Sequence, residues 1–308
     1  MHKAHGRFAG IELGGTKSIA VLGKDSSIVD RFVLPTTTAI ETLGLLNQQL
    51  RFWQAEGTFA GLGIASFGPL RLDPVAADFG RILATPKPGW ADACVLATLA
   101  NDLRCPTEID TDVNAAALAE YHWGHAQGCS SVVYLTIGTG LGGGILVEGR
   151  PLHGRLHPEI GHILTRRAAT DAFPGVCRFH GDCIEGLISG PALERRFGKS
   201  PADLSVDAPQ WEFVTHDLAQ LLAILIHSVS PQRILIGGGV GIGAAHLLPQ
   251  AILKVRSLLG NYYPQLDLPQ LSLMIQTAAL AQDAGPMGAI ALAHDAWRRT
   301  NSGQARSR

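Results

Sequence analysis

Residues 8–22 read F-A-G-I-E-L-G-G-T-K-S-I-A-V-L, and residues 132–147 read V-V-Y-L-T-I-G-T-G-L-G-G-G-I-L-V. In each, two apolar runs of strand length flank a tip of glycine and threonine, which predicts a β-hairpin with a permissive turn. Glycines let backbone N–H groups approach an anion closely. At the first tip, Gly14 and Gly15 are followed by Thr16 and Lys17, whose hydroxyl and positive charge suit the phosphates of a nucleotide. An ordinary G-G hairpin accounts for that tip taken alone. Lys17 is not a Walker lysine, since no G-x4-G-K-[ST] loop opens a helix here. At the second tip, Gly138-Thr139-Gly140 is no dinucleotide fingerprint, because its glycines run into the strand Ile145-Leu146-Val147 rather than into a helix. The pairing of the two hairpins, each opening one half of the chain, is far more specific than either.

The 308 residues exceed the size at which single cores stop growing, so two lobes with a cleft between them are expected. Hydrophobic residues at 46% and charged residues at 17% indicate a soluble globular protein. A formal charge of −1 supplies no field for holding nucleic acid or an anionic membrane surface. The apolar runs are broken by glycine and the first ten residues lack an apolar core, so neither a signal peptide nor a membrane span is predicted. A cytoplasmic location is therefore expected. Five cysteines argue against a disulfide framework and suit a reducing compartment, with Cys94, Cys105 and Cys129 read as buried small hydrophobes.

Between the hairpins, Ile40, Leu43, Leu46 and Leu50 form a helical stripe that covers a sheet. Gly61–Ala65 is a short buried strand that delivers the turn Ser66-Phe67-Gly68-Pro69, and Thr85-Pro-Lys-Pro-Gly-Trp90 is a proline-stiffened loop. Core packing alone would account for Trp90. In the segment E-I-D-T-D-V-N from Glu108 to Asn114, a strand ends near Asp110 and an alanine-rich helix follows Asp112. Asp112 reads as the N-cap, and a carboxylate at that junction also points from the edge of the sheet where open α/β folds keep their ligands. Farther on, residues 209–228 form an apolar-striped helix leading into the strand Arg233–Gly237 and the turn Gly237-Gly238-Gly239-Val240-Gly241. A closing helix runs from Ala284 to Trp297, and the small polar tail from Asn301 on is expected to be disordered.

The segment from Glu159 to Glu185, E-I-G-H-I-L-T-R-R-A-A-T-D-A-F-P-G-V-C-R-F-H-G-D-C-I-E, holds four candidate metal ligands: His162, Cys177, His180 and Cys183. Two thiolates and two imidazoles make a closed set for tetrahedral Zn²⁺ with no position left for water, hence one structural Zn²⁺. Scattered polar residues in a loop are the plain alternative. With Glu159-x-Gly161-His162 ahead of it and Glu185 behind, the stretch resembles the zinc loop of the ROK family of sugar kinases. That family commonly writes C-x-C-G-x-x-G-C-x-E, and the form C-x-x-H-x-x-C-x-E is similar to its fructokinase branch.

The resemblance extends from Gly10 to Ala293 and implies the two-lobed, actin-like (ribonuclease H-like) α/β ATPase fold, with a nucleotide and sugar cleft between the lobes. The implied domains are residues 1–117, joined by a C-terminal helix at 290–308, and residues 118–289 with the zinc loop. The implied activity is ATP-dependent phosphorylation of a hexose, fructose first, with glucose, mannose or N-acetylmannosamine as alternatives. Asp112 would be the general base. Glu159, His162, Glu185, Asn114, Thr111, Gly68, Pro69 and Trp90 would meet the sugar, although Thr111 stands where the family more often has Asn. Gly14, Gly15, Thr16, Lys17, Gly138, Thr139, Gly140, Pro191, Gly237, Gly238 and Gly239 would meet ATP. Glu12, where most of the family has Asp, would hold Mg²⁺ through water. A homodimer is the expected assembly. A repressor of the same family would carry an N-terminal helix-turn-helix, and only nine residues precede Gly10. A sugar sensor that kept the fold without catalysis is a further alternative.

Overall fold

The computed structural model describes residues 6–24, 26–85 and 87–301, so the polar tail lies outside the described residues beyond Asn301. The chain divides into two units. One comprises Met1–Gly124, Arg150–His157 and Asp283–Arg308; the other comprises His125–Gly149 and Pro158–Gln282.

In the first unit, β1 (Arg7–Leu13) and β2 (Lys17–Lys24) form the first hairpin in antiparallel register, from Arg7 opposite Lys24 to Leu13 opposite Ser18. Strand β3 (Ser27–Pro35) extends it, and β4 (Gly61–Ser66) and β5 (Thr107–Thr111) run parallel on the other side of β1. The order is β3-β2-β1-β4-β5. Side chains alternate across a strand, so each face of this sheet is set by every second residue. Ala9, Ile11, Leu13, Leu62 and Ile64 pack with Leu43, Leu46, Leu50 and Trp53 of α1 (Ala39–Glu56) in one core. The short α2 (Val95–Ala100) adds Val95 and Leu99 to that layer. Phe8, Ile19 and Val21 point the other way, onto the closing helix.

The stripe on α1 differs from the expected one at its start. Ile40 is 90% exposed, and Ala39 and Thr42 are buried instead, because Thr38 caps the helix and turns residue 40 outward. The three cysteines read as buried are not: Cys94 is exposed in the loop before α2, and Cys105 and Cys129 are half-buried.

The helix α3 (Asp112–Trp123) follows β5 without a break. The unit boundary therefore falls after Gly124 rather than at 117. The closing helix, labelled α10 because six helices of the second unit intervene, is Ala284–Asn301 and so starts before residue 290. It packs against β1, β4 and α3. Its backbone lies directly on the sheet and on α3: a Cβ at Gly63 would sit 1.9 Å from the Ala289 carbonyl oxygen, and one at Gly288 would sit 2.4 Å from the Ala115 carbonyl carbon of α3.

The second unit repeats the plan of a hairpin flanked by parallel strands. Strands β6 (Ser131–Ile137) and β7 (Leu141–Val147) are antiparallel. Strands β9 (Arg233–Gly237) and β10 (Ile275–Thr277) complete the second unit's order β10-β9-β6-β7, with β9 parallel to both β6 and β10, and the two-residue β8 (Arg150–Pro151) opens the first unit's segment Arg150–His157. The helices are α4 (Ile184–Ile188), α5 (Gly190–Phe197), α6 (Trp211–Val229), α7 (Gly239–Gly243), α8 (Leu248–Leu259) and α9 (Leu268–Met274). Val133, Leu135 and Ile137 of β6, Ile234 and Ile236 of β9, and Leu218, Leu221, Leu222 and Leu225 of α6 share its core. No helix among the described residues is long and apolar enough to cross a membrane.

The α10 seat leaves no room for a methyl group. Gly63→Ala should lower the unfolding free energy by about 1–3 kcal/mol, read from urea denaturation. Unchanged stability would show that the seat yields.

Candidate active site and metal centre

In the first unit, the β5–α3 junction is built by hydrogen bonds among neighbours. Thr111, not Asp112, is the N-cap of α3, its hydroxyl accepting from the Asn114 backbone N–H at 3.2 Å. Thr111 is 3% exposed, so the residue expected to touch sugar is committed to the helix. Asp112 occupies the first helical position, half-buried, and its Oδ1 accepts from the Val113 N–H at 2.9 Å. Beside it, the buried Asp110 carboxylate accepts from the Thr111 N–H at 2.7 Å and from Asn114 Nδ2 at 2.8 Å, and it meets His153 Nε2 at 3.0 Å.

Gly68 and Pro69 follow β4 and are joined by a cis peptide. The next residue, Leu70, donates its N–H to His157 Nε2 at 3.2 Å. Trp90 differs from its expected place on a sugar wall. It is fully buried, donates Nε1–H to the Thr37 carbonyl at 2.7 Å and packs edge-on against Phe67, which makes it a core anchor of its loop. Lys87 of the same loop reaches the first hairpin tip, its Nζ donating to the Gly15 carbonyl at 2.5 Å. That tip is closed by Gly14 N–H donating to the Lys17 carbonyl at 3.1 Å, and Gly15, Thr16 and Lys17 are exposed. A Cβ at Gly15 would meet no atom within 4 Å, so the glycine is not required by packing.

Glu12 shares the α10 face of β1 with Phe8 and Gly10 through strand alternation. Its carboxyl lies where a side chain at Gly285 would otherwise stand. Burial raises it to about 7, against the opposing pull of Lys17 and Arg31. A hard cation beside it would favour the ionised form, so the donor fits Mg²⁺ chemistry.

In the second unit, three glycine segments converge at the end of β6. The tip closes through Gly138 N–H to the Gly140 carbonyl at 2.9 Å, and Gly190 N–H donates to the Gly138 carbonyl at 2.7 Å, just ahead of Pro191 in the first turn of α5. Gly238, at φ 80°, lies so close to the Ile137 backbone that a Cβ would come within 2.4 Å of its oxygen. Gly138, Thr139, Gly140, Pro191 and Gly237–Gly239 are thus brought together. Glu185, in the first turn of α4, spends Oε2 on the Leu141 N–H at 3.1 Å, at the foot of the same hairpin. Glu159 precedes the 3₁₀ turn Ile160–His162, and desolvation, then the Glu185 charge, raises its carboxyl above the usual range.

The donor atoms of His162, Cys177, His180 and Cys183 all lie within 4.8 Å of one another. Cys183 Sγ is 3.6 Å from His162 Nδ1, and Cys177 Sγ is 3.9 Å from Nδ1 of both His162 and His180. Bond lengths of about 2.0–2.3 Å in a tetrahedron separate the donors by roughly 3.3–3.8 Å, so the four atoms fit Zn²⁺. Burial pushes the Cys183 thiol up to about 11, with Cys177 a lesser cause, and a coordinating dication reverses that preference. Local backbone sets the spacing. Cys177 and Gly181 exchange N–H and carbonyl bonds at 3.0 and 2.8 Å, closing the loop that carries His180, and Ile184 N–H to the Ile163 carbonyl at 2.9 Å draws His162 alongside Cys183.

An ion network ties this loop to the helices behind it. Arg167 bonds Asp182 at 3.0 Å and Asp171 at 2.7 Å, while Arg196 of α5 bonds Asp171 at 3.0 Å and Asp217 of α6 at 3.2 Å. Burial raises Asp217 to about 6, although Arg196 and Arg167 oppose it.

The ROK family profile matches residues 8–296. The chain belongs to the ROK family. Among its ROK relatives, a Zymomonas mobilis fructokinase is 40% identical over 92% of this chain and 95% of the relative. A Pediococcus pentosaceus fructokinase is 36% identical over 93% of this chain and 97% of the relative. A solved ROK glucokinase from Streptomyces griseus, in complex with glucose and AMPPNP, superposes with a TM-score of 0.73 at 25% identity, covering 94% of this chain and 99% of that one. The fold is accordingly the actin-like ATPase fold of ROK proteins.

Asp110, His153, His157, Lys87 and the arginine network went unread in the sequence. The only visible signal was the H-x3-H spacing of His153 and His157 just before Glu159.

Asp217 allows a test of the network. Its folded-state carboxyl binds a proton more tightly than the ordinary 3.8, which favours folding below that pH, and the advantage is lost as pH rises through about 6. Asp217→Asn removes this dependence. Whatever constant cost attends the lost Arg196 contact, stability relative to wild type should rise by up to about 3 kcal/mol between about pH 4 and 7. A flat difference would mean that Asp217 ionises normally.

Proposed function

We propose that this chain is an ATP-dependent hexose kinase acting on fructose to form fructose 6-phosphate. The observation that carries the reading is the 40% identity to a fructokinase over nearly the whole chain, with the β5–α3 junction intact. Asp112 is the residue we assign as general base. Its support is its place: Thr111 already serves as the N-cap, and Asp112 stands half-buried at the first helical position, at the edge of the sheet where open α/β folds keep their ligands.

In this reading the sugar's primary hydroxyl attacks the γ-phosphorus of ATP and gives its proton to Asp112, while the bond to the leaving oxygen breaks and ADP departs. Phosphoryl transfer demands mainly positioning and charge neutralisation. The tips Gly14–Thr16 and Gly138–Gly140, exposed at Gly15, Thr16 and Thr139, suit the phosphates together with Lys17, and Gly237–Gly239 with Pro191 suits the nucleoside side of ATP. Glu12 is the residue we assign to Mg²⁺, which would supply charge neutralisation at the phosphates. His162, Cys177, His180 and Cys183 would hold a Zn²⁺ whose contribution is structural. Glu159, His162 and Glu185 are assigned to the sugar hydroxyls together with Gly68 and Pro69. The burial of Trp90, Thr111 and Asn114 supports a role for all three behind the sugar site rather than in contact with it.

A coupled ADP-release assay with fructose, glucose, mannose and N-acetylmannosamine tests the reading. Turnover should be highest with fructose. No ADP release with any hexose would leave the sensor alternative standing.

Asp112→Asn should leave hexose and ATP binding within a few-fold and cut kcat by on the order of 10²-fold or more. Near wild-type turnover would falsify the assignment. Chelation, or Cys177→Ser, should raise the sugar KM and lower Tm while the ATP KM holds, with close to one zinc per chain in untreated protein. Stripped protein that binds sugar normally would sink the structural-zinc reading.

A further inference from the structure

Three successive carbonyls at the tip of the first hairpin are held by side chains and backbone of the same unit. Thr36, which follows β3, holds two of them: its hydroxyl donates to the Gly14 carbonyl at 2.8 Å, and its N–H donates to the Thr16 carbonyl at 2.9 Å. Lys87 holds the one between, its Nζ donating to the Gly15 carbonyl at 2.5 Å. A hydroxyl has one proton to give, so in the buried 2.7 Å contact between Ser18 Oγ and Thr36 Oγ1 it is Ser18 that donates. Thr36 is thereby fixed from the strand side as well.

A peptide unit is planar and trans, so its C=O and N–H point in opposite directions. Holding the Gly14 and Gly15 carbonyls therefore aims the N–H groups of Gly15 and Thr16 away from Thr36 and Lys87. Both residues are exposed, and no acceptor among the described residues stands against either N–H. Successive N–H groups turned outward from a tight turn suit an anion.

The loop that carries Lys87 is itself pinned next to Thr36. Trp90, fully buried, donates Nε1–H to the Thr37 carbonyl at 2.7 Å, and its N–H returns to the Lys87 carbonyl at 3.3 Å. The Lys87 nitrogen lies 5.9 Å from the centre of the Phe67 ring. An amine donates to a carbonyl with or without its third proton, so the Gly15 contact does not depend on the charge of the lysine.

We propose that Lys87 and Thr36 are positioning residues for the phosphates of ATP: they hold the tip carbonyls back so that the N–H groups of Gly15 and Thr16 face phosphate oxygens. The proposal rests on the hexose-kinase reading. Both residues act through the backbone of the tip, and the loss on removing either is confined to ligands that carry phosphate.

The test uses the full chain and measures binding of ATP, ADP, adenosine and fructose by calorimetry, alongside KM values for ATP and fructose. Lys87→Met removes the donor and keeps an apolar stem beside Phe67, and Thr36→Val removes the hydroxyl at similar shape. Each should raise the ATP and ADP Kd and the ATP KM by about three- to tenfold, the scale of one hydrogen bond, with adenosine and fructose within about twofold. Lys87→Arg and Thr36→Ser, which restore a donor, should recover most of the loss. Thr36→Val changes no charge, so an ATP loss in Lys87→Met with none in Thr36→Val would reduce the lysine to a distant charge and overturn the proposal. Wild-type ATP affinity in both would overturn it as well, and so would arginine and serine variants that recover nothing. Equal losses for ATP and adenosine with a fallen Tm would also overturn it, because that is the mark of general destabilisation. Should Lys87→Met fail to fold, Thr36→Val and Thr36→Ser decide alone. Wild-type protein that binds ATP but releases no ADP with any hexose would end the kinase reading and leave this one to the binding data. Wild-type protein that binds no ATP would end both.

Discussion

Backbone laid directly against backbone is the constraint on which the first unit depends. Helix α10 sits on β4 with no side chain between them at Gly63, and α3 approaches it over Gly288. Such contacts bring two rigid elements closer than any packed side chain allows, at the cost of tolerating no Cβ. They also decide what happens to polar groups on the same strand face. Glu12 alternates onto the α10 side of β1 together with Gly10, and the close helix leaves its carboxyl largely desolvated against Gly285. A carboxyl pushed to about 7 is thus a by-product of seating a helix, and it becomes responsive to any cation that comes near.

The second unit uses the same economy around its hairpin. Gly161 lies where a Cβ would come within 1.9 Å of the Leu141 carbonyl oxygen, so the segment carrying Glu159 and His162 is pressed onto the start of β7. The Glu185 carboxylate accepts from the N–H of the same Leu141. The loop with the four candidate metal ligands and the glycine hairpin are therefore coupled by short, direct contacts. Behind them, Arg167 and Arg196 hold the remainder of the loop against α5 and α6 through buried carboxylates. A buried pair of this kind is poor at adding stability yet strongly penalises any arrangement that separates it, which suits the fixing of one loop geometry.

Much of this was legible in the chain itself, because the signals are local. Alternation of apolar residues around Gly14-Gly15 and Gly138-Thr139-Gly140 determined two hairpins, since strand period and turn chemistry act over a few residues. The spacing of Cys177, His180 and Cys183 determined that three donors could meet in one short loop, and His162 with its flanking glutamates made the set recognisable. The stripe Leu43, Leu46 and Leu50 determined a helix with one buried face, although the placement of the cap at Thr38 moved its first buried residue to Ala39.

What only tertiary structure decided is where polar partners come from distant segments. Asp110 meets His153 because the chain returns to the first unit for eight residues, and no local pattern encodes that return. Lys87 finds the Gly15 carbonyl, and Arg196 finds Asp171 and Asp217, only once the layers are stacked. The same holds for Cys94, exposed by a loop, and for Trp90, drawn wholly into the core by Phe67 and the Thr37 carbonyl. Residue type and short-range spacing fix which groups can form an element. Burial and long-range pairing depend on the path of the backbone between elements, and that path is set by packing of the whole chain.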